Sequence, residues 1–186
     1  MHRIVYILLF FALVSCSTGR IASTSGTKPS ETIVFGKLSI DSTRPLDNKK
    51  ILMHFNDRLW GKHSVWLDES GYFYTKLPLG SNFLALIEYR DNIGFYKNLP
   101  ENYISINLPA ADKIYYIGDI TIDWTPVNLT DTRRNGGVAG VLAEAEKKGE
   151  YLPVSIENSE RTINFFHQKF PDNTKEVLTE LVRIDE

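Results

Sequence analysis

The side chains able to do chemistry are few, and their spacing limits what they could do. Beyond the N-terminal segment the histidines are His54, His63 and His167. His54 and His63 fall on neighbouring extended segments with Asp57 between them. A metal site or an acid–base pair would require those segments to converge; otherwise these are ordinary surface-strand histidines. Asp119, Thr121 and Asp123 alternate along one strand face. They could lend oxygens to calcium, although calcium sites draw mainly on loops, or they could form a solvated sheet face. The run Arg133-Arg134-Asn135-Gly136-Gly137-Val138-Ala139-Gly140 places two cations and free backbone N–H groups at a helix start. It lacks the Lys-Ser/Thr pair of a P-loop and reads first as a flexible linker entering a helix, with an anion cradle as the alternative. No HExxH, GxSxG, Walker A or strand-led GxGxxG occurs. The expectation is no catalytic residue, no metal and no cofactor.

Aromatic side chains are the other candidates, with nine Tyr, ten Phe and three Trp. Trp60, Trp66, Tyr72, Tyr74, Tyr115 and Tyr116 sit on strands or beside turns. They could form a stacking platform for a sugar or for peptidoglycan. Cross-strand aromatic pairs are also an ordinary means of holding a sheet together.

The chain has 186 residues, 42% apolar and 24% charged, with a formal charge of −2. That composition suits one folded domain with appendages and gives no broad basic footprint for nucleic acid. A single cysteine excludes an internal disulfide and any zinc cluster of cysteines. Its position is informative. His2 and Arg3 precede an apolar run from Ile4 to Val14, which ends in Leu13-Val14-Ser15-Cys16. The run is too short for the roughly 20 residues that a permanent membrane span needs, and suits the apolar core of an export signal.

Leu13-Val14-Ser15-Cys16 resembles the bacterial lipobox, with Leu three positions before the cysteine and a small residue directly before it. Val14 departs mildly from the usual Ser or Ala. The resemblance implies a signal peptide at 1–15, lipid attachment to Cys16 and anchoring of the mature chain to a membrane of the cell envelope. No Asp follows Cys16, which favours the outer membrane under the sorting rule of enteric bacteria. Residues 17–32 are rich in Ser, Thr and Gly, the composition of a flexible leash, so 16–32 is expected to be the lipidated cysteine and its tether. At about 5–6 Å × √n such a leash spans roughly 20–25 Å.

From residue 33 to 124 short apolar alternations are broken by turns about every ten residues, the pattern of an all-β sandwich or barrel. Val34, Leu38 and Ile40 share one face, as do Ile51, Met53 and Phe55. Ile114, Tyr116, Ile120, Ile122 and Trp124 are expected to share another. The strand Phe83–Tyr89 is apolar on both faces and must be covered on both. The segment from Leu67 to Leu86, with Asp68, Gly71, Phe73, Leu77, Pro78, Gly80 and Leu84, resembles the carboxypeptidase-regulatory-like, or transthyretin-like, domain. In that family the pattern is a hairpin D-x-x-G-x-F followed by L-P-x-G-x-Y-x-L; here Asn82 stands where an aromatic is usual. Val34-Phe35-Gly36-Lys37-Leu38 is similar to the family's first strand. The resemblance implies a mainly β fold, an antiparallel sandwich of about seven strands, and a structural or adhesive role with no catalytic residues.

Residues 125–186 are expected to be a connector and C-terminal helices. Val138 to Lys148 reads as a helix stopped by Gly149. Ile163, Phe166 and Phe170 mark a second helix over about Ser159–Lys169, ended by Pro171. Asn173 with Glu176 forms a capping box for a third that would bury Val177, Leu178 and Leu181. These helices are expected to cover the outer face of one sheet. The functional expectation is a non-enzymatic, lipid-anchored envelope module that engages a protein or envelope component. Its alternatives are carbohydrate or peptidoglycan binding and a secretion-system assembly lipoprotein.

Overall fold

The computed structural model describes residues 21, 23–58, 62–127, 132 and 148–185. Cys16, Trp60, the sequence Arg133–Gly140 and the helix expected over 138–148 lie outside these residues or mostly so. Within them the chain forms β1 (Glu31–Asp41), a 3₁₀ turn (Asn48–Lys50), β2 (Ile51–Phe55), β3 (His63–Trp66), β4 (Tyr72–Pro78), β5 (Gly80–Arg90), β6 (Gly94–Asn98), β7 (Ile104–Leu108), β8 (Ile114–Asp123), β9 (Val154–Glu157), α1 (Glu160–Lys169), β10 (Val177–Thr179) and β11 (Arg183–Ile184). No helix among the described residues is long and apolar enough to cross a membrane.

The strands form two sheets. One runs β10-β8-β1-β4, with β9 sharing the β10 edge of β8; the other runs β11-β7-β5-β2-β3, with β6 beside β7 on β5. The sandwich is therefore mainly β, with eleven described strands rather than about seven. It is not wholly antiparallel, because β8 pairs in parallel with both β1 and β10. Between the sheets lies one core. Val34, Leu38, Phe73, Leu77, Ile120 and Ile122 come from the first sheet and Ile51, Met53, Phe55, Val65, Ile87 and Leu108 from the second. At about 25 cal/mol per Å² of apolar surface removed from water, this core is the main source of stability.

A bulge corrects the expected face of β8. Its register against β1 shifts between Phe35 and Lys37, and Gly118 takes φ +108°. The extra residue reverses the alternation. Ile114 and Tyr116 then face outward, whereas Ile120, Ile122 and Trp124 face the core. Gly36 lies opposite, and a Cβ there would run into the Gly118 carbonyl oxygen. Glycine is what allows the two backbones to meet.

The outward face is covered by α1. Ser159 caps the helix by accepting from the Thr162 N–H, and Phe166 and Phe170 fall on one side of it. They pack on Ile33, Phe35, Tyr74, Ile114 and Tyr116 in a second apolar cluster. The second expected helix is thus present, and it does cover the outer face of one sheet. That face belongs to β1, β4 and β8, not to the strand Phe83–Tyr89.

The third expected helix is absent, a strand taking its place. Asn173 Oδ1 does accept from Lys175 N, a local turn of the expected kind. Val177–Thr179 then pairs with Ile114–Tyr116. Val177 packs in the outer cluster and Leu178 in the inner core, so period two prevails over the capping signal. Because β9, β10 and β11 complete both sheets and α1 covers one of them, the described residues from 148 onward are part of the sandwich and residue 124 is no fold boundary.

Candidate functional site

A cleft of about 860 Å³ opens where the N-terminal half of α1 leaves the sheet. Lys37 and Tyr72 come from the sheet, Asp119 from the bulged part of β8, and Glu160, Arg161, Phe165 and Gln168 from α1. Phe165 and Tyr72 stack, with centroids 4.3 Å apart and planes at 17°. The Lys37 ammonium sits 5.8 Å from the Tyr72 ring centre. The wall beside α1 is held by a polar chain. Thr162 Oγ1 donates to Asp119 Oδ2 at 2.8 Å, Tyr116 Oη donates to Asp119 Oδ1 at 3.0 Å, and the Ser159 N–H donates to Tyr116 Oη at 2.9 Å. Burial, reinforced by the Asp119 carboxylate, pushes the Tyr116 phenol well above its ordinary value, so it stays a neutral hydroxyl. The cleft thus offers cations, carboxylates and amide groups around an aromatic floor.

A second constellation lies on the face of the other sheet turned away from the core. His54 is the direct cross-strand partner of Ser64 on β3, and Glu88 on β5 sits diagonally from it. Ser64 Oγ and His54 Nδ1 are 2.8 Å apart, and His54 Nε2 is 3.3 Å from Glu88 Oε2. Arg90 grips Glu88 through both oxygens, donating to Oε2 at 3.0 Å and also to Oε1, while its guanidinium lies 5.1 Å from the Trp66 ring. Burial alone would raise the Glu88 pKa; hydrogen bonds from His54, Arg90 and Tyr96 outweigh it and bring it to about 2. A serine, a histidine and a carboxylate in line is the order used for nucleophilic catalysis. Here Ser64 is 3% exposed, Glu88 1% and the neighbouring Leu52 and Leu86 1% each. The arrangement is a buried network around an ionised Glu88 that ties β2, β3, β5 and β6 together.

The expected site residues separate accordingly. Tyr74, Tyr115 and Tyr116 are at most 1% exposed and form no platform for a ligand. Tyr74 and Tyr116 lie beneath α1 and Tyr115 faces the core, because apolar contact on both sides of the first sheet claims them. Tyr72 alone of the four lines the cleft, its ring largely taken up by Phe165. Trp66 belongs to the Glu88 network. His54 and His63 do not converge: His54 turns to Ser64 and Glu88, and burial together with Lys62 holds His63 below its ordinary range. Among the described residues no three His, Cys, Asp or Glu side chains are grouped to hold a metal. Asp119 is bound to Thr162 and Tyr116, whereas Asp123 is exposed. Sequence reasoning missed Ser64, Glu88 and Arg90. The signal that could have found them is the lone carboxylate Glu88 in an otherwise apolar strand.

Comparison with known proteins gives no matching family model, no matching curated protein and no matching solved structure.

Proposed function

We propose that this protein is a lipid-anchored β-sandwich of the bacterial envelope that binds another envelope component without catalysing a reaction. The observation that carries the anchor is Leu13-Val14-Ser15-Cys16 at the end of the 11-residue apolar run Ile4–Val14. The cleft beside α1 is where a partner would be gripped, since polar and charged groups surround the Phe165–Tyr72 floor there. Labelling with an alkyne palmitate tests the anchor. The wild type takes up label and partitions with membranes, and Cys16→Ser does neither. Equal labelling of the two would overturn the reading. Crosslinking in intact envelopes, followed by retrieval of the protein, tests the binding role; recovery of the protein alone would count against it.

A second reading is favoured by the same floor. An aromatic stack ringed by Lys37, Asp119, Glu160, Arg161 and Gln168 suits a sugar of the peptidoglycan type, which presents an apolar ring face and many hydroxyls. Titration with soluble peptidoglycan fragments should show binding that Phe165→Ala abolishes. No binding by the wild type would exclude this ligand.

A further inference from the structure

The segment expected to be a free leash is laid along the open edge of β4. The Ile21 N–H donates to the Tyr74 carbonyl at 3.4 Å, and its side chain packs against the outer apolar cluster. Lys76 Nζ donates to the Gly26 carbonyl at 3.0 Å, Lys175 Nζ to Thr27 Oγ1 at 2.7 Å, and the Leu79 N–H to the Ser30 carbonyl at 3.0 Å. The one isolated apolar residue of the leash is thus its fastening. Between Cys16 and Ile21 the sequence leaves Ser17, Thr18, Gly19 and Arg20. Even fully extended, that stretch reaches at most about 18 Å.

We infer that the β4 edge and the C-terminal end of α1 face the bilayer that holds Cys16, resting on its anionic headgroups. This rests on the proposed anchoring. The geometry follows from the short reach, because a domain fastened at Ile21 has little freedom to turn this flank away. The charge agrees with it. Lys76, Lys169 and Lys175 gather on the flank, with the exposed Lys28 next to Thr27 in the chain and Lys169 lying 4.6 Å from the Tyr74 ring centre. Asp68, 3.8 Å from Lys169, the exposed Asp172 and the half-buried Glu31 offset three of these charges, and Glu176, beside Lys175, is paired with Lys113. Lysines close to an anionic surface are attracted to phosphate, and salt weakens that attraction.

The test uses the full-length lipidated protein in phosphatidylcholine–phosphatidylglycerol vesicles that carry some nickel-chelating lipid. One spin label is placed at Asp172→Cys and another, separately, at Ile93→Cys, in the β5–β6 turn of the other sheet. Cys16 is consumed by the lipid and takes no label. The label at 172 should be broadened several-fold more than that at 93, and less so in vesicles without phosphatidylglycerol. Adding Ile21→Ser should shrink the contrast, with circular dichroism confirming that the sandwich remains folded. Protein that floats with the vesicles while both labels broaden equally would overturn the inference and leave the anchor standing. A contrast untouched by Ile21→Ser would overturn the fastening. Failure to float would overturn the anchor, and the inference with it.

Discussion

Phe35 of β1 and Phe166 of α1 stack face to face, with ring centroids 4.1 Å apart and planes at 16°. This contact is the centre of the outer cluster, with Tyr116 5.4 Å from Phe35 and Phe170 5.0 Å from Phe166. Phe166 has no exposed surface. Replacing it with Ala should cost about 3–5 kcal/mol, from lost transfer energy and the cavity left behind. Urea unfolding followed by tryptophan fluorescence measures this. A loss within a few tenths of a kcal/mol would show that α1 contributes little to the fold.

Asp119 joins the helix to the bulge. Asp119→Ala removes the acceptor for both Thr162 and Tyr116, and these are 2% and 0% exposed. Tyr116 Oη keeps a second acceptor in the Glu157 carbonyl at 3.1 Å and Thr162 Oγ1 a longer one in Ser159 Oγ at 3.4 Å, so the expected loss is about 1–3 kcal/mol in all. It should appear locally as faster amide exchange in Glu160–Lys169, with β2, β3 and β5 keeping their protection. Uniform acceleration throughout the domain would place the effect elsewhere.

Glu88 makes stability depend on pH. Its folded pKa, near 2, lies below the ordinary 4.5. The stabilisation is therefore fully present above pH 4.5 and is lost as pH falls towards 2, because the unfolded chain takes up the proton first. The urea midpoint of the wild type should drop across that window. Glu88→Gln should be less stable at neutral pH and should fall less steeply between pH 5 and 2. Parallel curves for the two proteins would rule out Glu88 as the source.

The bulge should tolerate no side chain. Gly36→Ala drives a methyl into the Gly118 carbonyl, and Gly118→Ala would add a Cβ 2.9 Å from Ile156 Cγ2 at a backbone angle that L-residues avoid. Each should cost about 1–3 kcal/mol, read as a lowered thermal midpoint. If Gly36→Ala melts with the wild type, β1 and β8 can part without loss.

Much of the sandwich was visible in the sequence because period-two alternation and turn chemistry are local. The turn at Asp68 is an example. Its Oδ1 accepts from the N–H groups of Ser70 and Tyr72, and Gly71 takes φ +86°, as a D-x-x-G turn requires. Helix α1 was visible for the same reason, through its aromatic spacing and the proline that follows it. What was hidden depends on partners distant in the chain. Val177–Thr179 becomes a strand only because β8 presents an edge to it, and the face of Ile120 reverses only because a bulge intervenes. The Glu88 network was hidden likewise, since His54, Ser64 and Glu88 meet through strand register. The tyrosines show the limit of composition, for a ring suited to binding sugar is equally suited to filling a core.

The position of β8 also imposes an order in time. Its neighbours are β1, from the start of the sandwich, and β9 and β10, from its end. The second sheet holds hairpins such as β5–β6, which can close within microseconds once both strands exist. The first sheet has no such beginning, as each of its ladders joins strands well separated along the chain. Long-range pairing of this kind is slow. Until residue 123 arrives β1 has a bare edge, and until residue 179 arrives β8 has one, each open to pairing with another molecule. Refolding should accordingly proceed in two phases, with amides of β2, β5 and β6 protected before those of β1 and β8. Whatever escorts the nascent chain must shield the first sheet for longer than the second.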